Sequence, residues 1–217
     1  MRISELGRRS GLPVATIKFY LREGLLPAGA RTARNQAEYD ETHLVRLRLI
    51  QTLTGVGRLS LASVREVLAA VDDRNMSVNG KCAVLNRALL PSPDLGGNGK
   101  AEGELARAQV DRFIDTLGWR IPGDAQARTA MAQVLVVLRQ LDGDFTMDFF
   151  APYADVVCRL SAYDLAGRTA SGSSDQMAIE WVARVVLFEA GLAAMRGLAH
   201  EHHIAVHADE VRGSSGQ

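Results

Sequence analysis

Residues 3–27 read ISELGRRSGLPVATIKFYLREGLLP, and this stretch decides how the first part of the chain folds. Gly11 supplies the left-handed turn that can end a first helix. Val14, Ile17 and Leu21 follow at helical spacing and give a second helix an apolar face. Two short helices joined by a tight glycine turn are typical of a helix-turn-helix, whose second helix enters the major groove of DNA.

The sequence after this motif predicts a loop or small β-hairpin and two more helices. Residues 28–38 are polar and rich in Gly and Ala, so they favour a loop or a small β-hairpin that closes at Tyr39. Asp40 is placed to cap a third helix and Ser60 to cap a fourth. Residues 1–75 therefore predict a winged helix-turn-helix DNA-binding domain.

The order and spacing of these segments resemble the MerR family of winged-helix transcriptional regulators over about residues 1–70. The resemblance is carried by ISELG and TIKFYLREGLLP in the first two helices, RNQAEY in the wing, LVRLRLI in the third helix and LSLASVREVL in the fourth. It implies a homodimer that binds a palindromic promoter. It also implies that the dimer bends and untwists the promoter spacer, so that RNA polymerase can use it.

Candidate DNA contacts come from both the residue types and the resemblance. Thr16, Lys18, Tyr20 and Arg22 are the polar side chains of the second helix. The resemblance implies that Lys18 replaces the usual Arg, that Phe19 replaces the usual Tyr with the loss of one hydroxyl, and that Tyr20 matches a tyrosine able to reach a phosphate. The predicted DNA-binding residues are Thr16, Lys18, Tyr20, Arg22, Arg31, Arg34 and Tyr39.

The charge distribution supports this surface, although the chain as a whole has a formal net charge of zero. Residues 1–66 hold 11 Lys and Arg against 6 Asp and Glu, a balance of +5 that leaves −5 for the remainder. Lys and Arg contacts to phosphates supply most of the affinity of a DNA-binding protein and make it depend on salt. The neutral total is therefore no argument against nucleic acid.

The remainder of the chain predicts helices without strands, so the fold class is mainly α: a winged helix-turn-helix domain followed by an all-α effector and dimerisation domain. Residues 76–100 predict a connecting helix and a Pro/Gly linker, and residues 209–217 a disordered tail. The helical domain spans 101–208. Its predicted helices are Glu102–Leu117, Ala125–Leu141, Pro152 to about Ala166, and Ser173 to about His200.

The helical domain is rich in aromatic and methionine side chains, which favour a pocket for a small lipophilic or aromatic ligand. The predicted effector-binding residues are Phe149, Tyr153, Tyr163, Trp181 and Phe188. Glu180 or Glu189 could neutralise a cationic ligand. An ordinary helical core is the alternative interpretation of the same side chains.

Other chemistries have less support in the sequence. His203 and His207 share a helix face, but solvated histidines at a helix end explain them without a metal. Cys82 and Cys158 are isolated, which argues against a disulfide framework or a cysteine metal site. No motif of a hydrolase, zinc protease or P-loop protein is present. We therefore expect no metal, no cofactor and no enzymatic activity.

Two functions from different classes stay open at this point. The first is a dimeric, cytoplasmic transcription regulator whose dimer contact uses residues 102–117, the helix after residue 173, or both. The second is a protein that binds or sequesters a small molecule and carries a vestigial or architectural DNA-binding module. No apolar stretch is free of charged residues for long enough to predict a membrane span.

Overall fold

The computed structural model describes residues 1–33, 36–90, 100–141, 143–166 and 174–214. Only the backbone is described for Ala33, Lys100, 174–176 and 208–214. The linker residues 91–99, the wing residue Arg34 and the first residue of the last predicted helix, Ser173, lie outside the described residues.

The first 72 residues form the predicted winged helix-turn-helix module. Its elements are α1 (Ile3–Ser10), α2 (Val14–Arg22), β1 (Ala30–Ala33), β2 (Gln36–Glu38), α3 (Glu41–Gln51), a π-helical turn (Thr52–Val56) and α4 (Leu61–Asp72). Gly11 ends α1 with a φ of 72°, as its place in the sequence predicts. The two strands pair antiparallel as a two-stranded wing.

Side-chain caps fix where α3 and α4 begin. The Asp40 carboxylate accepts the backbone N–H groups of Thr42 and His43 at 2.9 and 3.3 Å, which confirms the predicted cap of α3. Hydrogen bonds from the Thr42 hydroxyl and then from His43 hold the pKa of Asp40 well below its usual value. Ser60 accepts the N–H of Ser63 at 3.1 Å and caps α4. The first cap lies directly after the wing, and the second follows the π-helical turn.

A charged cluster centred on Arg46 links α3 to the last residue of α4 and to the segment that follows α2. Its Nη1 and Nη2 donate to the two carboxylate oxygens of Asp72 at 2.6 and 2.8 Å, and its Nε donates to the carbonyl of Leu25 at 2.6 Å. The Arg46 side chain is only 11% exposed. Removing it would leave the Leu25 carbonyl without its donor and Asp72 without its counter-charge.

We expect Arg46→Ala to destabilise the winged module by about 2 kcal/mol, because a charged and largely buried donor is lost from three acceptors. Hydrogen exchange of α3 and α4 amides in the full chain would measure the change, which corresponds to about thirtyfold faster exchange. Arg8→Ala is the control, since the Arg8–Glu5 pair is exposed and should contribute little. Equal protection in both variants would contradict the assigned role of Arg46.

The rest of the described chain is helical. Its elements are α5 (Val78–Leu89), α6 (Lys100–Leu117), α7 (Gln126–Leu141), a 3-10 turn (Met147–Phe150), α8 (Ala151–Ala166) and α9 (Ser174–Ser214). Helix α9 continues to Ser214, so the prediction of a disordered tail from residue 209 is wrong for the described part of that segment. Within the described ranges, no helix combines the length and the apolarity needed to cross a membrane.

The chain divides into two compact units that differ from the predicted domains. One unit contains Met1–Asp72 and α9, and the other contains the described residues between them. Val182 and Val186 of α9 are buried, and α9 contacts α3, α4 and the π-helical turn. A Cβ on Gly57 would lie 3.0 Å from Cγ1 of Val186, so α9 approaches the backbone of the winged module closely. In the sequence, the apolar stripe of α9 predicts a buried face, but it does not reveal which segment of the chain that face packs against.

The second unit has its core between α6 and α7. Buried residues of this core are Ala106, Val110, Ile114, Ala132, Leu135, Val136 and Met147. Leu105 of α6 is 66% exposed, and α7 exposes Val134 and Val137. Helix α8, whose residues are all described, buries Ala154 alone.

Candidate nucleic-acid interface and effector site

Helix α2 presents two of the predicted DNA-binding cations to solvent. Lys18 and Arg22 are exposed and lie one turn apart, so they share a face of the helix, while Thr16 is half-buried. Ile17 and Tyr20 form the buried face, and Tyr20 is 8% exposed. The prediction that Tyr20 lies with the polar side chains is therefore wrong, because it follows Ile17 by three residues and points to the core.

The guanidinium group of Arg22 lies over the ring of Phe19. The guanidinium carbon of Arg22 lies 5.5 Å from the centroid of the Phe19 ring, within the range of a cation–π contact. This contact leaves the charge of Arg22 available to a further partner, since the ring supplies no negative charge of its own.

The wing contributes Arg31, whose side chain is exposed on β1 and which is paired in register with Ala37. Arg34 was predicted beside it and lies outside the described residues. Tyr39 is 7% exposed and meets the ring of His43 edge-on at 5.2 Å. Its backbone N–H donates to the carbonyl of Met1 at 2.8 Å. Tyr39 thus packs at the base of the wing. It is not exposed on the DNA-binding surface, where the sequence predicted it.

Ion pairing separates the arginines of the winged module into two groups. Among the described residues of the module, four arginines pair with carboxylates: Arg8 with Glu5, Arg9 with Glu41, Arg46 with Asp72 and Arg65 with Glu23. The exposed cations without an acidic partner among the described residues are Lys18, Arg22 and Arg31, joined by Arg2, Arg48 and Arg58, which the sequence did not single out. The uncompensated positive charge therefore includes all three described cations that the sequence predicted as DNA contacts.

An apolar cavity of about 280 Å³ lies in the second unit. It is formed by α6, α7, the 3-10 turn and α8, and aromatic side chains from Phe113, Trp119, Phe150 and Tyr153 line it. Met131 and Met147 complete the soft, polarisable part of the lining. This is the described site whose walls best match the predicted lipophilic pocket.

One of the five predicted effector residues, Tyr153, lines this cavity. Phe149 stacks on Tyr153 at 6.0 Å between ring centroids but does not itself line the cavity. Tyr163 is 78% exposed, and Trp181 and Phe188 belong to α9 in the other compact unit. Of the five predicted residues, Tyr153 is the one in the lining of this cavity.

Arg128 and Arg107 share a hydrogen-bond acceptor beside the cavity, and Arg128 also bonds to the segment that joins α6 to α7. Arg128, which is 8% exposed, donates to Asp111 Oδ1 at 2.6 Å, to the Pro122 carbonyl at 3.0 Å and to the Ile121 carbonyl at 2.8 Å. Arg107 donates to the same carboxylate oxygen at 3.1 Å. Hydrogen bonding from Arg128 is the main cause that holds the pKa of Asp111 below its ordinary value of 3.8.

The lowered pKa of Asp111 predicts that the second unit loses stability in acid. Its folded-state pKa lies below the unfolded value, so its contribution is complete above about pH 4 and fades as the pH falls through the folded pKa. We expect Asp111→Asn to be less stable than wild type at pH 7, with a difference that shrinks below pH 4. Urea unfolding of both proteins in a Trp181→Phe background, followed by Trp119 fluorescence, would measure this. A difference that does not change with pH would contradict the prediction.

The family profile of the MerR HTH family regulatory proteins matches residues 1–71. A homologue of the transcriptional regulator ZntR from Haemophilus influenzae is 35% identical over 68 residues, which are 31% of this chain and 50% of that protein. The transcriptional regulator HmrR of Rhizobium leguminosarum is 35% identical over 75 residues, which are 35% of this chain and 57% of that protein. The chain spans about half the length of these curated relatives.

One solved structure resembles the chain over nearly its whole length. The crystal structure of the proposed transcriptional regulator SCO5550 from Streptomyces coelicolor A3(2) has a TM-score of 0.70 and 33% sequence identity. The alignment covers 94% of this chain and 96% of that chain. The likeness therefore includes the helical segments beyond the winged module. Together, these matches show that the chain belongs to the MerR HTH family of regulatory proteins.

Proposed function

We propose that this protein is a sequence-specific, DNA-binding transcriptional regulator that acts in the cytoplasm as a homodimer. The observation that carries the proposal is the uncompensated positive charge of Lys18, Arg22 and Arg31 on a helix-turn-helix and its wing. In this proposal Lys18 and Arg22 enter or flank the major groove with Thr16, and Arg31 holds the adjacent backbone. Tyr20 and Tyr39 pack beneath this surface, because less than a tenth of each is exposed.

Helix α9 supplies the dimer contact in this proposal. Beyond Val186 it exposes Phe188, Leu192 and Met195, which recur at the four-and-three spacing of a coiled-coil seam. Met195 follows Val186 by about two and a half helical turns, so the seam faces away from the stripe that is buried on the winged module. Exposure of a long apolar stripe to water is unfavourable. We propose that the same helix of a second copy covers this stripe.

Two-fold symmetry of the dimer gives the operator its expected form. Two copies of α2 related by a two-fold axis would bind two half-sites of an inverted repeat. Following the family resemblance, we propose that the repeat lies between promoter elements and that the dimer distorts the spacer for RNA polymerase. The proposed role has no chemical step, so no catalytic group is assigned.

The second unit is the proposed sensor of a small organic effector. Its support is the apolar, aromatic cavity between α6, α7 and α8. Glu180 and Glu189 lie on α9 in the other unit, and neither lines this cavity.

DNase I footprinting of the purified full chain on the DNA upstream of its own gene tests the proposal. We expect protection of an inverted repeat at moderate salt, with affinity that falls as salt rises. The absence of a footprint, together with binding of a small molecule, would instead favour the alternative of a ligand-binding protein with a vestigial DNA-binding module.

A further inference from the structure

The cavity in the second unit is lined by α6, α7, the 3-10 turn, α8 and residues that join α6 to α7, and of these elements α8 is the most exposed. Helix α8 contributes Tyr153, Ala154 and Val157 to the lining, and of its residues Ala154 alone is buried. The opposite wall comes from α6 and α7, which form the core of this unit. A ligand in the cavity would therefore contact the well-packed helix pair on one side and the more exposed α8 on the other.

The charge of the lining excludes an ionised ligand. Of the residues that line the cavity, Arg128 is the one with an ionised side chain, and its charge is compensated by Asp111 at 2.6 Å. Each of its three nitrogens already donates to an acceptor inside the protein. A cation would find no carboxylate in the lining, and an anion would have to compete with Asp111. Burying an unpaired charge there is unfavourable.

The size and shape of the cavity restrict the ligand further. A dry apolar cavity of about 150 Å³ holds one benzene ring, so 280 Å³ has room for about two fused rings. Phe113, Trp119 and Phe150 offer ring faces and edges, which favour a flat aromatic partner.

We propose that the cavity between α6, α7, the 3-10 turn and α8 binds an uncharged, flat, aromatic molecule of about two fused rings, and that this ligand fixes α8 against the α6–α7 pair. This inference rests on the proposed function, since it gives the effector-sensing unit its site and its ligand class. It differs from the cationic ligand that Glu180 or Glu189 would have served.

The first experiment locates the binding by NMR of the full chain with labelled methionine methyl groups. The probe is 2-naphthol, and its charged counterparts are 2-naphthoate and 2-naphthylmethylammonium. We expect saturable shifts at Met131 and Met147, which line the cavity, and none at Met195, which is exposed on α9. The two charged probes should bind at least about tenfold more weakly. Equal binding of the charged probes, or no saturable shift at Met131 and Met147, would overturn the proposal.

A matched pair of variants checks that the probe occupies this cavity. Ala127 is exposed at its rim, so Ala127→Phe should narrow the opening without disturbing the core and weaken 2-naphthol binding at least about tenfold. Ala108→Phe introduces the same ring at an exposed position of α6 that does not line this cavity, and it should leave binding unchanged. Equal affinity in the two variants would overturn the assigned site.

Footprinting of the same samples separates this inference from the proposed function. A normal footprint without 2-naphthol binding would overturn the ligand site alone. Saturable binding in the cavity by a chain that gives no footprint would leave the ligand site standing and overturn the regulator.

Discussion

Replacing Lys18 and Arg22 together with alanine is expected to lower promoter affinity by about a hundredfold at moderate salt. Both cations lie on one exposed face of α2 and have no acidic partner among the described residues, so their charge is available to DNA. Each lost phosphate contact should also reduce the slope of log affinity against log salt by about one. Fluorescence anisotropy on the footprinted operator, measured at several salt concentrations, gives both quantities.

The ion-paired arginines provide the matched control for this experiment. Arg8 and Arg9 belong to the same module but pair with Glu5 and Glu41, so Arg8→Ala combined with Arg9→Ala removes equal charge from a different position. We expect this double variant to keep affinity within a few-fold of wild type and to keep most of the salt slope. Equal losses in the two double variants would mean that affinity follows total charge, and the assigned interface would be wrong.

The second large effect is expected at the seam of α9. Leu192→Glu combined with Met195→Glu should convert the dimer to a monomer, because two carboxylates per copy would be buried against each other at the seam. Promoter affinity should fall at least about a hundredfold, since two half-sites no longer bind as one ligand. Sedimentation equilibrium measures the association state, and anisotropy measures the affinity.

The adjacent residue Ala193 supplies the control for the seam. It is exposed and lies about 100° around the helix from Leu192, away from the Phe188–Met195 stripe. Ala193→Glu should therefore remain dimeric, whereas Leu192→Glu alone should weaken the dimer measurably. A dimer that survives both seam substitutions would direct the search to another exposed apolar face, and the assignment of α9 would fail.

The winged module could be predicted almost completely because its signals are local. Gly11 sets a left-handed turn, Asp40 and Ser60 cap helices, and each acts within a few residues of its own position. The position of Tyr20 was predicted wrongly although its signal is also local. A tyrosine is amphipathic, so its residue type does not reveal which face of α2 it takes, whereas its place three residues after the buried Ile17 puts it on the core face.

The second half was predictable as helices but not as an assembly of helices. Helical periodicity predicts that α9 has apolar residues, but it does not reveal that Val186 packs on Gly57 while Phe188 on the other face stays exposed. The aromatic residues were likewise gathered by type, although Tyr153 and Trp181 belong to different units. Partner choice depends on tertiary contacts between distant segments, and one sequence carries little local information about them.

The order of synthesis gives the contact between Gly57 and Val186 a further meaning. Translation at about 5–20 residues per second reaches Val186 roughly 6 to 26 s after Gly57. The winged module is therefore synthesised before the part of α9 that packs on it. A chain that terminates or is cleaved between these positions lacks both the helix that covers α3 and α4 and the proposed dimer seam. Under the proposed function, an incomplete regulator therefore cannot compete with a finished one for the promoter.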